Sequence, residues 1–466
     1  MRILLISGSV SGRIRYGKLD DVGSYMPPYG LLCIAAVLER AGHHVELIDT
    51  EIHGCDDDEI LSRIDSCRPE LIGMSVFTIG SREAIARAAA IKRHCSIPIV
   101  AGGPHTFVDI DNFTRQHEFD YFIAGEGERT IIELTTALQT GDSLSNIPGL
   151  IYRQNGRLFK NPPRQLIEDI DELPFPSFHL LNDLHEYHPS PLGYRKRPCL
   201  PFVSSRGCPF GCVFCSSLWG KRWRSHSADY VINAVERLSK IFGAREIWFC
   251  DDTFGLDGER LRRICSGIIR KGLDMSWTCM TNVHNLDGPT LGMMKKAGCW
   301  QIQLGLESGN NDVLKSIGKP ATVEVIRNQV ELISKSGISP RGYFILDNLT
   351  DTQDTLEDTI SFALSLPLYS ADFHLLQLPL GSKAREIAHE YGTVDPSLDL
   401  LTGYSSRRLS FVPNGMSEKY LFEMQRRAHR RFFLRPSQIC RMLHEVDSLE
   451  DVRRFYLLFK AFMKTL

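Results

Sequence analysis

No stretch of this 466-residue chain holds the roughly 18 consecutive apolar residues that a bilayer-crossing helix needs. A transmembrane segment is therefore not expected. An excess of one charge is also lacking, since 54 Lys and Arg face 56 Asp and Glu for a net −2. Without a basic surplus, no nucleic-acid partner is expected. The opening MRILLISGSV has one Arg and a short apolar run but no small-residue cleavage site. It reads as a first strand, not a signal peptide, and a cytoplasmic location is expected. A disulfide framework is missing as well: the 13 cysteines are odd in number and scattered. Most are expected to pack as small hydrophobes, as Cys33 in LLCIAAVL and Cys299 in AGCWQI do. No fixed-period repeat is present.

What remains is the profile of a globular protein, 24% charged and 43% hydrophobic, long enough for two or three domains. Residues 1–140 alternate short apolar runs with amphipathic stretches. Strands are expected at Ile3–Ser7, Val45–Asp49, Leu71–Phe77, Ile97–Ala101 and Tyr121–Ala124, and helices at Pro28–Glu39 and from Ser81. The fold class is α/β, beginning with a doubly wound parallel sheet. Such sheets bind ligands at the carboxyl ends of their strands. Three strand ends carry loops suited to that: Ser75–Ser81, Gly102–His105 and Gly125–Glu128. Residues 141–195, broken by Asn161-Pro162-Pro163 and Pro174-Phe175-Pro176, read as a connector.

A second βα series occupies residues 196–410. Its strands are expected at Pro201–Ser204, Glu246–Cys250, Trp277–Thr281, Gln301–Leu306, Gly342–Leu346 and Phe373–Leu378, with helices such as Asp229–Ile241 and Thr322–Ser336 between them. Six βα units predict a partial TIM-type barrel. Residues 411–466 read as a helical appendix. Its QRRAHRRFFLR stretch reads as a solvated basic face packing its aromatics on the barrel, and its apolar end leaves a membrane surface, a pocket seal or a dimer contact open.

Immediately after the first barrel strand stands SSRGCPFGCVFCSS, residues 204–217, with Cys208, Cys212 and Cys215 in Cys-x3-Cys-x2-Cys spacing. Gly207, Pro209 and Gly211 make the loop sharp. Thiolates suit zinc or iron–sulfur, and three of them leave an iron with an open position. A zinc knuckle with a distant fourth ligand, or three core cysteines, is the structural alternative.

The spacing, with Phe214 ahead of the last cysteine, resembles the signature of radical S-adenosylmethionine (SAM) enzymes. That resemblance implies a [4Fe-4S] cluster on Cys208, Cys212 and Cys215, with SAM chelating the open iron. One electron would then break the sulfonium bond to give a 5′-deoxyadenosyl radical. It further implies Phe214, Asp251 and Glu307 as SAM contacts, Glu307 through QLGLESG, with Lys319 matching a basic position that follows. Two stretches depart from the family: Ile345–Thr350 stands where relatives often carry Gly-x-Pro-Gly, and Thr281-Asn282-Val283 lacks their Arg.

The preceding domain resembles the cobalamin-binding class of these enzymes, through PPYGL at 27–31, GHHV with Asp49, AGGPH at 101–105 and GEGE at 125–128. The resemblance implies cobalamin at Tyr29, Ser75, Thr78, Gly102, Gly103, Gly125, Glu126 and Gly127. Asp49–Gly54 does not match Asp-x-His-x2-Gly, so no protein His is expected on cobalt, and His43, His44 and His105 are expected to be ordinary surface or packed histidines. The implied activity is methylation of an unactivated carbon of a small or lipid-like substrate, with an electron donor such as flavodoxin or ferredoxin. Cyclisation, oxidation or rearrangement without methyl transfer, and a non-catalytic iron–sulfur or cobalamin sensor, are the alternatives.

Overall fold

The computed structural model describes the whole chain except residues 9–11, 17–21, 54, 217–218, 285, 396–397, 399–407, 445, 447 and 466. Gly54 and Ser217, both named above, thus lie outside the described residues. The chain divides into two compact units, one of residues 1–15 and 25–186, the other of residues 16–24 and 187–466.

In the first unit, β1 (Arg2–Gly8), β2 (His44–Ile48), β3 (Leu71–Val76), β4 (Ile99–Gly102) and β5 (Tyr121–Ile123) pair in parallel in the order β2-β1-β3-β4-β5. Successive side chains of a strand face opposite ways. In β1, Ile3 and Leu5 join one core with residues of the helices Tyr29–Arg40 and Gly127–Thr140. Leu4 and Ile6 join another with residues of Asp57–Cys67 and Ser81–His94. Burial on both faces is why these strands read as continuous apolar runs. The order reverses at β1, which sets a crevice at the carboxyl edge of the sheet.

The stretch expected to be a plain connector adds two antiparallel strands to that sheet, β6 (Leu150–Gln154) and β7 (Arg157–Lys160). The turn between them is Asn155-Gly156, with φ of 51° and 75°. Asn-Gly is the strongest short hairpin signal, because both positions need positive φ.

In the second unit, β8 (Cys199–Phe202) opens the barrel, and β9 (Ser205–Arg206) pairs with β10 (Arg224–Ser225) beside it. β11 (Glu246–Phe249), β12 (Ser276–Thr281), β13 (Cys299–Glu307), β14 (Ser339–Ile345) and β15 (Ser370–His374) follow. β8 and β11–β15 form one six-stranded parallel sheet in chain order. This is the partial barrel the alternation predicts. A short pair, β16 (Gly392–Val394) with β17 (Phe411–Pro413), precedes the terminal helices Glu418–Phe433, Pro436–His444 and Leu449–Thr465. The first of these docks on the barrel: Gln425 Nε2 donates to Phe373 O at 2.9 Å, and Arg427 and Arg431 pair with Glu357. Phe432 is buried edge-on to Phe373. The basic stretch is therefore in part a packing face.

Outward-facing barrel positions are apolar and fully buried, as at Ile247, Phe249, Trp277, Cys279, Ile302 and Phe344. Trp277 carries the largest of these side chains and donates from Nε1 to Ala297 O at 2.8 Å. Trp277→Ala is expected to cost about 3–5 kcal/mol in denaturant unfolding. A loss below about 1 kcal/mol would contradict its place in this core.

Candidate functional site

The cysteine loop leaves β9 through Gly207, whose φ is 89°. A Cβ there would come 1.9 Å from Arg222 O, so only glycine fits. Gly207 N donates to Asp252 Oδ2 at 3.1 Å, and Cys208 Sγ lies 3.3 Å from Thr253 Oγ1. Further along, Val213 N donates to Ile317 O at 3.0 Å, and Val213 O accepts from Ala384 N at 2.8 Å. Cys215 N closes a turn onto Cys212 O at 3.0 Å, and Ser216 Oγ donates to Leu380 O at 2.8 Å. Phe214 packs on the apolar cluster of Leu349, Leu376, Leu378 and Phe411. The loop is thus held by segments that follow β11, β13 and β15.

Burial, together with Glu307 and Cys208, raises the Cys212 thiol, against the lowering effect of Lys319. Cys215 is pushed up to about 11 by burial, Cys212 and Cys208. Its side chain is open to solvent, so crowding by the neighbouring thiols is the firmer cause. Among the described residues, no three His, Cys, Asp or Glu side chains are gathered tightly enough to hold a single metal ion. The donor set itself, three soft thiols crowded on one stapled loop, fits an iron–sulfur cluster.

Glu307 ends β13 in a left-handed conformation, with φ of 64°. A non-glycine residue there is strained, and such strain collects at functional sites. The pairing of β13 with β14 slips between Gly305 and Glu307. The carboxylate folds back over Gly305, where a Cβ would meet Glu307 Oε1 at 2.3 Å and Lys319 Nζ at 3.2 Å. Lys319 Nζ and Glu307 Oε1 form a buried ion pair at 3.2 Å. Lys319 is brought there by the turn at Gly318, which packs on Gly211 of the cysteine loop.

Asp251 and Asp252 divide their work. Asp251 is buried and accepts from Ser204 N and Ser204 Oγ at 2.7 Å, and from Ser205 Oγ. Burial pushes its carboxyl up to about 6 against those hydrogen bonds. Its oxygens tie the segment after β8 to the end of β11, a structural role beside the SAM contact implied for it. Asp252 is exposed, holds Gly207 and acts electrostatically on Cys215. The sequence does not separate the two, because adjacent carboxylates look alike until the strand's alternation is known.

At the divergent end of β14, Asp347 is fully buried and accepts from Leu376 N. Its Oδ2 and the neighbouring Asn348 Oδ1 have no hydrogen-bond partner. Burial pushes the Asp347 carboxyl up to about 8. Its folded value lies above the ordinary 3.8, so the folded chain keeps a proton that the unfolded chain releases. Stability from this group is present at low pH and is lost as pH rises from about 4 through about 8. Asp347→Asn cannot ionise. Its unfolding free energy should gain on that of the unmodified chain across this window, whereas parallel pH profiles would contradict the assignment.

In the first unit, the loops after β3 and β4 meet. Gly103, with φ of 101°, lies so close to Val76 and Ser75 Oγ that a Cβ would come within 3.0–3.1 Å of them. Thr78 Oγ1 is 3.3 Å from Nδ1 of buried His105, whose pKa burial lowers. Gly102 and Gly125 have open space where a Cβ would stand, so a ligand can approach their backbone closely. Three of the expected cobalamin residues also make packing contacts. Glu126 is buried and accepts from Ile167 N at 2.6 Å. A Cβ on Gly127 would come 3.1 Å from Ile34 Cδ1, so Gly127 serves helix packing. Tyr29 stands edge-on to Phe178 at 6.3 Å. Phe77, on the loop after β3, and Phe107, in the short helix Pro104–Val108 after β4, are exposed aromatics beside these glycines.

Two family models match the chain, the B12 binding domain over residues 18–135 and the Radical SAM superfamily over 202–363. An uncharacterized methyltransferase of Pyrococcus horikoshii, PH0819, is 33% identical over 96% of this chain and 95% of its own length. The anaerobic magnesium-protoporphyrin IX monomethyl ester cyclase of Rubrivivax gelatinosus is 26% identical over 100% of this chain and 83% of its own. Among solved structures, the cobalamin-dependent SAM radical enzyme OxsB, with aqua-cobalamin and SAM bound, covers 100% of this chain and 71% of its own at 18% identity, with a TM-score of 0.78. In both units no described helix is long and apolar enough to cross a membrane. With both models in tandem and a relative alike over nearly its whole length, the chain belongs to the cobalamin-binding radical SAM enzymes, whose cofactors are a [4Fe-4S] cluster, SAM and cobalamin.

Proposed function

We propose that this enzyme methylates an unactivated carbon of a small or lipid-like metabolite, drawing electrons from a flavodoxin- or ferredoxin-type donor. The observation that carries this reading is the tandem of a B12-binding domain and a radical SAM barrel in a chain alike from end to end to a relative named as a methyltransferase. Bound together, the cluster and SAM supply a carbon-centred radical, and cobalamin supplies a carried methyl group.

The chain's own residues supply placement. Cys208, Cys212 and Cys215 hold the cluster, on a loop fixed from three sides. Glu307, kept in its strained position by Lys319, offers a carboxylate to the SAM amino group. Phe214 holds the loop's shape from its apolar side, and exposed Asp252 offers a second carboxylate beside buried Asp251. Ser75, Thr78, Gly102, Gly103 and Gly125 line the path of cobalamin. The cyclase likeness favours a second reading, radical cyclisation or oxidation without methyl transfer.

Replacing Cys208, Cys212 and Cys215 together by Ala should abolish iron and sulfide binding, and near-normal iron per chain would sink the ligand assignment. With substrate present, 5′-deoxyadenosine and S-adenosylhomocysteine should accumulate in equal amounts once uncoupled cleavage is subtracted. A product without added methyl mass, formed with little S-adenosylhomocysteine, would hand the function to the second reading.

A further inference from the structure

The six-stranded sheet treats its two faces in opposite ways. Its outward positions are the apolar core described above. Its inward positions are mostly polar, with Pro201, Met280 and Ile345 as apolar exceptions, whereas the inside of a closed βα barrel is ordinarily filled by bulky branched apolar residues. On β11, β12 and β13, Trp248, Thr278 and Gln301 are register neighbours, so their side chains leave the same face of the sheet. Trp248 Nε1, Thr278 Oγ1 and Gln301 Oε1 are buried and have no hydrogen-bond partner, and neither does Ser370 Oγ on β15. A buried polar atom without a partner costs about 1–3 kcal/mol, so four in one lumen call for a ligand or ordered water.

Nearer the mouth, the inward side chains form a connected set. Arg341 Nε donates to Asp372 Oδ2 at 2.8 Å, and the guanidinium lies 5.3 Å from the centre of the Tyr343 ring. Tyr343 Oη donates to Gln303 Oε1 at 2.7 Å, and its ring stacks on His374, which is exposed at the carboxyl end of β15. A buried ion pair adds little stability over an apolar pair of the same size. The charges of Arg341 and Asp372 balance, and the four unpartnered groups are neutral: one donor, one acceptor and two hydroxyls.

We infer that the substrate carries an uncharged head with both hydrogen-bond donors and acceptors, hydroxyl- or amide-bearing, which enters this lumen and is read by Trp248, Thr278 and Gln301 and, one inward position nearer the mouth, by Ser370 beside Arg341. The inference rests on the methyl-transfer reading for its reaction, and narrows its substrate class. A hydrocarbon without such a head would leave these groups unpaired, and a strongly anionic head would meet no unbalanced cation among them.

The test uses the full chain reconstituted with cluster, cobalamin and SAM. Cells lacking the gene are extracted into aqueous and chloroform phases, and each phase is assayed for turnover-dependent SAM consumption. Activity with the aqueous phase is expected. An active fraction that is retained on an anion-exchange column, or whose substrate carries no hydroxyl or amide group, would overturn the inference. An aqueous-phase product without added methyl mass would overturn methyl transfer while leaving the substrate class standing. The double variant Thr278→Val/Ser370→Ala removes two hydroxyls that have no protein partner, so its thermal midpoint should not fall. Its KM for the aqueous-phase substrate should rise about tenfold or more, as for one or two lost hydrogen bonds. An unchanged KM would show that these groups are merely hydrated, and would refute the inference.

Discussion

The residue Val213 hydrogen-bonds in both directions, giving its N–H to Ile317 O and its carbonyl to Ala384 N. Those two bonds, with the one from Gly207 N to Asp252, suspend the cysteine loop between segments that follow three different barrel strands. A loop this short cannot build a core of its own, so its geometry is borrowed from the barrel. The same contacts deliver other groups. Ile317 stands next to Gly318, whose turn carries Lys319 to Glu307, and Asp252 follows directly on β11. Moving the loop would therefore disturb the thiols, the strained carboxylate and the exposed aspartate together.

Glu307 shows what that arrangement holds in place. Its left-handed backbone is a conformation that costs free energy unless its surroundings compel it. Here they do so three times over, through the slipped pairing of β13 with β14, the bare face of Gly305 and the ammonium of Lys319. The outward face of the same sheet is an ordinary dense core, rigid enough to carry strain and unpartnered polar groups on its inner side.

Much of this was legible in the residues. Both βα series, and the place of the cysteine loop after β8, follow from apolar runs and glycine punctuation, because parallel strands buried on both faces must be apolar. The hairpin at Asn155-Gly156 is equally legible, but the prolines that follow it at 162–163 and 174–176 make the stretch read as a broken connector. The individual site residues were harder. Whether a carboxylate faces a ligand or ties two strands depends on alternation and on who donates to it. So Asp251, Glu126 and Tyr29 carry site signals and also make structural contacts, and nothing in the sequence separates Asp251 from Asp252. The unpartnered groups of Trp248, Thr278, Gln301 and Ser370 are not legible in the sequence, since they share a face only once the strands are paired.

The central claim is that three thiolates hold a cluster with one iron left open for SAM. The electron paramagnetic resonance spectrum of the reduced, reconstituted full chain, recorded without and then with SAM, tests it most directly. The account predicts a reduced [4Fe-4S] signal whose shape changes when SAM is added. A signal indifferent to SAM, or no iron–sulfur signal in protein reconstituted with iron and sulfide, would contradict it.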